Sequence, residues 1–312
     1  MKIVFFCPPP STINGGIKHI FRMAEALIAQ GRDAVVFEQG GRRPTWFSST
    51  VPVVGQDIFA DTHGHLYVLP EDQPNILRDF AKLPQRKVIY SQNHFYGALG
   101  IGAAASYADY GVTDIICSSR TIYDHCRMRH PALRAFVVPC AVDPALFKPA
   151  AVKREAIAFM PRKRPIEAAY LRDMFRFALP QYQDWEWVEI ANATEAEAAR
   201  LMGEASVFLS LSRLEGFGLT PLEAMAAGCV VAGFTGIGGR DYATAENGFW
   251  VNEDDHPACI EALAKAAALA QEQSGAAWQA YETACRKTTD AYTPATFAGG
   301  VKAAWDAILA AN

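Results

Sequence analysis

Buried strands alternate with amphipathic segments along this chain, and that alternation limits the fold more than any other feature of the sequence. Residues 3–7 and 34–38 are short apolar runs typical of buried strands, and residues 17–30 carry apolar side chains at helical spacing. A strand, a glycine-containing loop, a helix and a second strand form a βαβ unit, which requires a parallel sheet. The first part of the chain is therefore predicted to be α/β.

The alternation continues in two consecutive sets. A proline-containing linker at residues 143–153 separates them, and further strands are predicted at residues 65–69, 87–91, 114–119, 135–139, 156–160, 185–190, 205–212, 229–234 and 249–252. Two such sets indicate two Rossmann-like domains with parallel sheets. Open parallel sheets bind ligands beyond the carboxyl ends of their strands, so we expect the two domains to face a central cleft.

Composition excludes several classes of protein. Hydrophobic residues make up 51% of the 312 positions, which excludes general disorder, and 29 basic against 33 acidic residues give no reason to expect a nucleic-acid partner. The seven cysteines form no C-x-x-C pair, so neither a zinc ribbon nor a disulfide framework is indicated. The N-terminal segment is too rich in proline for a signal peptide, and no apolar run is long enough to span a membrane. These features predict a cytoplasmic protein.

Residues 212–228, SRLEGFGLTPLEAMAAG, are the most informative segment. Glu215 lies in a glycine loop after a predicted strand, where a carboxylate has no evident structural task. Thr220 is predicted as a helix N-cap and Pro221 as the first helical residue, which places Glu223 at the third helical position. Glu223 is then either a ligand-binding carboxylate or a capping-box residue. The glycines and the helix N-terminus suit a phosphorylated ligand.

At these residues the chain resembles a known family. Glu215 and Glu223, with seven residues between them, are similar to the E-x7-E motif of retaining glycosyltransferases of family 4, the glycosyl transferases group 1, which have the GT-B fold. The segment VPCAVD at residues 138–143, followed by FKP at 147–149, resembles the linker signature of that family. The linker departs from the family pattern because Cys-Ala replaces the usual Asn-Gly.

The resemblance implies an organisation for the whole chain. An N-terminal domain, residues 1–148, would bind the acceptor, and a C-terminal domain, residues 149–292, would bind a nucleotide-diphosphate sugar as donor. The C-terminal segment, residues 293–312, has one apolar helical face and would pack back on the N-terminal domain. The acceptor would be a glycan, a lipid-linked molecule or a small molecule.

The resemblance also implies roles for particular residues. Glu223 would bind the ribose, and Glu215 would bind a hydroxyl of the donor sugar. His94, just after the strand at residues 87–91, would hydrogen-bond the same sugar. The other donor-binding positions are the two glycines of the N-terminal loop and the segment after Glu215, namely Gly15, Gly16, Gly216, Phe217, Gly218, Leu219 and Thr220.

The cation that meets the donor diphosphate stays open. The segment MPRKRP at residues 160–165 stands where the family usually has G-R-x-x-x-x-K-G. Arg162 and either Lys163 or Arg164 are the candidates, since a basic cluster at the end of a strand suits a departing diphosphate. The alternative is a solvated turn.

Metal-dependent mechanisms are not favoured. The chain has no D-x-D, Walker A or G-x-S-x-G sequence, and the pair His63 and His65 is more typical of incidental histidines than of metal ligands. We therefore expect no cofactor and no metal. The cluster Arg127, Arg129 and His130 is either a weak contact to anionic lipid at the inner face of a membrane or a solvated helix end.

The first functional hypothesis is thus a retaining, metal-independent glycosyltransferase. The second is a catalytically silent subunit that binds a nucleotide sugar and regulates or scaffolds a partner, which the departures from the family pattern keep open. A third is another enzyme on the same fold, such as a phosphorylase or an epimerase. The oligomeric state, the sugar and the linkage do not follow from the sequence.

Overall fold

The computed structural model describes residues 1–11, 13–60, 64–102 and 105–311. The chain divides into two compact units. The first unit combines Met1–Cys140 with Ala295–Asn312, and the second is Ala141–Pro294. His63, one of the two histidines considered above, lies outside the described residues.

The boundary after the first unit falls at Cys140 rather than at residue 148, where the sequence placed it. The reason is that the linker is hydrogen-bonded to the second unit. The Val142 N–H donates to the Tyr292 carbonyl at 2.8 Å, and the Ala150 N–H donates to the Gly203 carbonyl at 3.0 Å. Proline and polar residues made this segment look like a linker, but its backbone pairing makes it part of the second unit.

The first unit contains a seven-stranded parallel sheet with the order β3-β2-β1-β4-β5-β6-β7. Its strands are β1 Lys2–Phe6, β2 Asp33–Phe37, β3 Val53–Val54, β4 His65–Pro70, β5 Arg86–Ser91, β6 Val112–Cys117 and β7 Arg134–Val137. The helices of this unit are α1 Gly15–Ala29, α2 Pro74–Ala81, α3 His94–Ile101, α4 Arg120–Arg129 and α10 Pro294–Ala310. The two-residue strand β3 was not predicted, because it is too short to show a period.

The second unit contains a five-stranded parallel sheet with the order β12-β11-β10-β8-β9. Its strands are β8 Arg154–Phe159, β9 Glu186–Glu189, β10 Ala205–Glu215, β11 Val230–Ile237 and β12 Phe249–Val251. Its helices are α5 Pro165–Ala178, α6 Glu195–Glu204, α7 Leu219–Ala226, α8 His256–Gln271 and α9 Ala276–Asp290. The predicted α/β class with two Rossmann-like units is confirmed.

The C-terminal helix α10 packs on the sheet of the first unit. Trp305 is completely buried, and its ring centroid lies 6.0 Å from that of Phe5 on β1. Arg86 donates to the carbonyls of Ile308 and Ala311 at 2.6 and 2.9 Å, which satisfies two acceptors at the C-terminal end of the helix.

A second arginine acts in the same way on α10. Arg134 donates to the Ala307 carbonyl at 3.1 Å. The buried carboxylate of Asp114 forms ion pairs with Arg134 at 2.5 Å and with Arg86 at 3.3 Å. Asp114 on β6 thus orients both arginines toward the helix end, and this links the last turn of the chain to three strands of the sheet.

Among the described residues, no helix is both long and apolar enough to cross a bilayer.

Candidate functional site

Strand β10 ends at Glu215. The register between β10 and β11 shifts between Ser212 and Glu215, and Leu214 adopts a left-handed backbone conformation with φ 50°. This irregularity places Glu215 at the carboxyl edge of the sheet with a partly exposed side chain. Its Oε1 lies 3.6 Å from Nζ of Lys163, so a carboxylate and a cation stand together at this edge.

The glycine loop after Glu215 is held in place by close backbone packing. A Cβ atom on Gly238 would lie only 2.3 Å from the carbonyl carbon of Gly216, so only glycine fits there. Gly218 has φ 81°, a left-handed conformation that favours glycine, and its carbonyl accepts a hydrogen bond from the buried Tyr242 hydroxyl. The loop is therefore rigid, with its Gly216–Gly218 backbone fixed against the turn at Gly238–Asp241.

Helix α7 begins two residues earlier than the sequence suggested. Gly218 is its N-cap and Leu219 its first residue, so the predicted N-cap at Thr220 is wrong. The physical reason is the left-handed turn at Gly218, which starts the helix without a side-chain cap. Glu223 is consequently the fifth helical residue, two positions beyond the third position that a capping box uses, and the residue is 7% exposed. The capping-box interpretation of Glu223 is excluded by this geometry.

The basic segment forms a single 3-10 turn, Pro161–Lys163, after β8. Arg162 is exposed, and Lys163 points to Glu215. Arg164 differs from both because it is 1% exposed. Its guanidinium forms ion pairs with three carboxylates, those of Glu167 at 2.6 Å and of Glu253 and Asp254 at 2.5 Å each.

This cluster joins several strand ends of the second unit. The Arg164 guanidinium also lies 4.2 Å from the ring centroid of Phe234 on β11. Because the Arg164 guanidinium already pairs with three carboxylates and contacts an aromatic ring, it is better suited to stabilise the turn than to bind a diphosphate. Lys163 and Arg162 thus remain the better candidates for the predicted cation.

In the first unit, the predicted glycine loop forms the N-terminus of α1. Asn14 is the N-cap and its side chain accepts a hydrogen bond from the Gly16 N–H at 2.8 Å. Gly15 is exposed, and a Cβ atom there would meet nothing within 4 Å among the described residues. Gly16 lies closer to its surroundings, since its Cβ would stand 3.0 Å from Oε1 of Gln92. The helix N-terminus supplies positive potential beside an accessible backbone.

His94 is the first residue of α3, just after β5. The N-cap Asn93 accepts a hydrogen bond from the Phe95 N–H at 3.1 Å, which fixes the start of the helix. Burial, and to a lesser extent the neighbouring His125, lower the pKa of His94 to about 4. The imidazole is therefore neutral near pH 7. Its Nδ1 is buried and has no hydrogen-bond partner within the described part of the chain.

Sequence reasoning missed Glu71, which follows β4. Its Oε1 accepts hydrogen bonds from the backbone N–H groups of Gln92 and Asn93, at 3.0 and 2.9 Å. Glu71 is 5% exposed, and burial raises its pKa to about 7. The only signal in the sequence is a carboxylate directly after a buried strand. In the structure, this carboxylate positions the loop that carries His94.

Polar residues at the two ends of α4 have structural partners. Ser119 is the N-cap of α4 and accepts from the Ile122 N–H at 3.0 Å. Arg127 donates to the Leu133 carbonyl at 2.9 Å, and the buried His130 lies 3.0 Å from the Ser106 hydroxyl. No group of three or more metal-ligating side chains occurs within the described ranges.

The chain is similar to known glycosyltransferases. A family model described as "Glycosyl transferases group 1" matches residues 167–268, which include Glu215, α7 and β11. An α-1,6-glucosyltransferase of Actinobacillus pleuropneumoniae serotype 7 is 28% identical, and the match covers 81% of this chain and 79% of that protein.

Solved structures share the fold over almost the whole chain. A sucrose-phosphate synthase from Thermosynechococcus elongatus has a TM-score of 0.70 at 16% identity, covering 100% of both chains. HepE from Anabaena, solved with UDP and glucose, has a TM-score of 0.71 at 14% identity, covering 98% of this chain and 100% of that chain. Trehalose-6-phosphate synthase OtsA has a TM-score of 0.68 at 10% identity, covering 100% of both.

The fold is thus of the GT-B class, with two Rossmann-like units. The family model and the curated relative together support a glycosyltransferase.

Proposed function

We propose that this protein is a retaining, metal-independent glycosyltransferase that uses a nucleotide-diphosphate sugar. The observation that carries the proposal is the carboxyl edge of the second unit. There Glu215 lies beside Lys163, followed by a rigid glycine loop and by a helix that carries the buried Glu223. The name of the curated relative, an α-1,6-glucosyltransferase, suggests a glucosyl group as the sugar. We take a glycan as the acceptor.

Each part of this edge suits one part of the donor. The N-terminus of α7 and the backbone N–H groups of residues 216–219 favour anionic oxygens. Lys163, with the exposed Arg162, would stabilise the leaving diphosphate as its negative charge develops. Glu215 would accept a hydrogen bond from a sugar hydroxyl, and Glu223 would accept hydrogen bonds from the ribose. In the first unit, Gly15, Gly16 and the neutral His94 would complete the donor contacts.

The proposed reaction transfers the sugar with retention at the anomeric carbon. The bond between that carbon and the diphosphate breaks first, so positive charge builds on the sugar while the cations stabilise the leaving group. The acceptor hydroxyl would attack on the face that the diphosphate leaves. An oxygen of the departing diphosphate would then take the acceptor proton, and no dedicated general base is needed.

We expect Glu215→Gln and Glu223→Gln each to impair transfer while leaving the fold intact. Loss of a hydrogen bond to a charged group costs about 1.5–3 kcal/mol, or roughly 10- to 150-fold in rate. Steady-state transfer from UDP-glucose to a gluco-oligosaccharide measures this, and Glu261→Gln, an exposed substitution on α8, is the matched control. Full activity in Glu223→Gln, with only a lower melting temperature, would mean that this carboxylate is structural.

Transfer is also expected to continue in excess EDTA, because the proposed mechanism neutralises the diphosphate with side chains and a helix N-terminus. The measurement compares initial rates with chelator and with added manganese or magnesium. Complete loss in chelator, restored by either metal, contradicts the mechanism. A protein that binds UDP-glucose but neither transfers nor hydrolyses it would be a silent subunit instead.

A further inference from the structure

A cavity of about 380 Å³ opens at the carboxyl ends of β11 and β12, in the second unit. Its volume lies within the range of roughly 300–1,000 Å³ typical of small-molecule sites. The proposed roles of Glu215, Glu223 and the basic turn do not use it. The lining combines one large aromatic ring with five polar and two small apolar side chains: Thr235, Arg240, Trp250, Val251, Asn252, Glu253, Asp255 and Ala258.

The Trp250 indole is held rigidly in the wall of this cavity. Its Nε1 donates to the Oδ1 atom of Asn247 at 3.1 Å. Asn247 is fully buried and donates in turn to the Tyr242 carbonyl at 2.7 Å. A Cβ atom on Gly248 would lie 2.6 Å from the indole, so the backbone also packs against the ring. The half-buried ring is therefore a preformed platform, and a ligand loses little affinity in ordering it.

The polar groups of the wall are equally well fixed. Glu253 accepts from the Gly236 N–H at 3.0 Å, and Asp255 accepts from the Ala258 N–H at 3.1 Å. Carboxylate oxygens have further lone pairs, so both residues can still accept from a ligand. The exposed Arg240 side chain lines the cavity, and its guanidinium makes no hydrogen bond or ion pair with any residue that the structure describes.

The charges select the kind of ligand. The charge of Glu253 is already compensated by Arg164, so an anion would meet the carboxylate of Asp255 and a cation would meet Arg240. A neutral molecule with many hydroxyls can use both kinds of group, and the C–H face of a sugar ring matches an indole face. We propose that this cavity is a subsite for one pyranose residue of a neutral glycan, stacked on Trp250 and hydrogen-bonded to Arg240, Asn252 and Asp255. Whether the bound glycan is the acceptor or the product of transfer depends on the proposed function.

Calorimetric titration of the 312-residue chain with isomaltotriose, an α-1,6-linked glucan, tests the subsite. Trp250→Leu and Arg240→Ala are each expected to weaken binding about tenfold or more, since an aromatic contact and a charged hydrogen bond are lost. Trp278→Leu is the matched control, because Trp278 is also half-buried in the second unit but outside the cavity. Arg240 is exposed, so Arg240→Ala keeps the test valid if Trp250→Leu fails to fold.

Transfer from UDP-glucose, assayed in parallel, separates the two proposals. If both substitutions weaken isomaltotriose binding but the wild type shows no transfer, the subsite is supported and the proposed function is contradicted. If the wild type transfers glucose but both cavity variants bind isomaltotriose as tightly as the wild type does, the proposed subsite is wrong. Absence of any binding to the wild type, or Arg240-dependent binding of inorganic phosphate in preference to the glucan, would overturn it as well.

Discussion

Replacing Trp305 by alanine is expected to lower the free energy of unfolding of the first unit by about 3–5 kcal/mol. Trp305 is completely buried where α10 packs on β1, and its removal leaves a cavity lined by Phe5 and its neighbours. The polar contacts of Arg86 and Arg134 with the helix end cannot replace this packing. Hydrogen-exchange mass spectrometry during urea titration measures the effect, because it follows the amides of β1 separately from those of β10.

Lys302→Ala on the exposed face of the same helix is the control, and it should change stability by no more than about 0.5 kcal/mol. If Trp305→Ala lowers the hydrogen-exchange protection of the β1 and β10 amides equally, then α10 stabilises both units and not the first unit in particular. A Trp305→Ala protein as stable as wild type in the β1 amides would contradict the packing of α10 on this sheet.

The alternation of buried strands and amphipathic helices was enough to predict the α/β class, because a parallel strand is buried on both faces and appears as a continuous apolar run. It was not enough to place the unit boundary. Residues 143–153 have the composition of a linker, yet the backbone bonds of Val142 and Ala150 make this stretch part of the second unit. Such pairing depends on partners far along the chain, and local composition cannot reveal it.

Parts of the candidate site could be predicted where a residue type occurs at a characteristic sequence spacing. Parts that depend on the backbone conformation could not. Glu215, which directly precedes the glycine loop, stood out from the sequence alone. The role of Glu223 depended on where α7 starts, and the left-handed turn at Gly218 shifted that start by two residues. Arg164 looked equivalent to Arg162 and Lys163 in the sequence. Only the carboxylates brought together from residues 167, 253 and 254 distinguish it.

The role of Glu71 could not be predicted from the sequence for a related reason. The N–H groups that it accepts from belong to Gln92 and Asn93, which directly follow the next strand of the sheet, β5, about twenty residues further along the chain. A sequence pattern shows a carboxylate after a strand but not the two donors that converge on it. Burial also raises the pKa of the Glu71 carboxyl above its usual value.

Replacing Glu71 by glutamine is therefore expected to stabilise the protein above neutral pH and not below about pH 4. Burial raises the pKa of Glu71 from 4.5 to about 7, so the folded protein binds this proton more tightly than the unfolded chain. The stability contributed by the protonated form is complete below pH 4.5 and is lost as the pH rises through 7. At about 1.36 kcal/mol per pKa unit, the loss amounts to about 3 kcal/mol.

Urea unfolding of the wild type and of Glu71→Gln between about pH 4 and pH 8 measures this difference, and subtraction cancels the carboxyl groups that both proteins share. Glutamine keeps an oxygen that can accept from Gln92 and Asn93, so the loop that carries His94 should stay in place. Glu71→Leu removes the acceptor and should lose stability at every pH, because the N–H groups of Gln92 and the buried Asn93 then lose this hydrogen bond. A difference between wild type and Glu71→Gln that stays constant with pH would show that Glu71 does not titrate near neutrality.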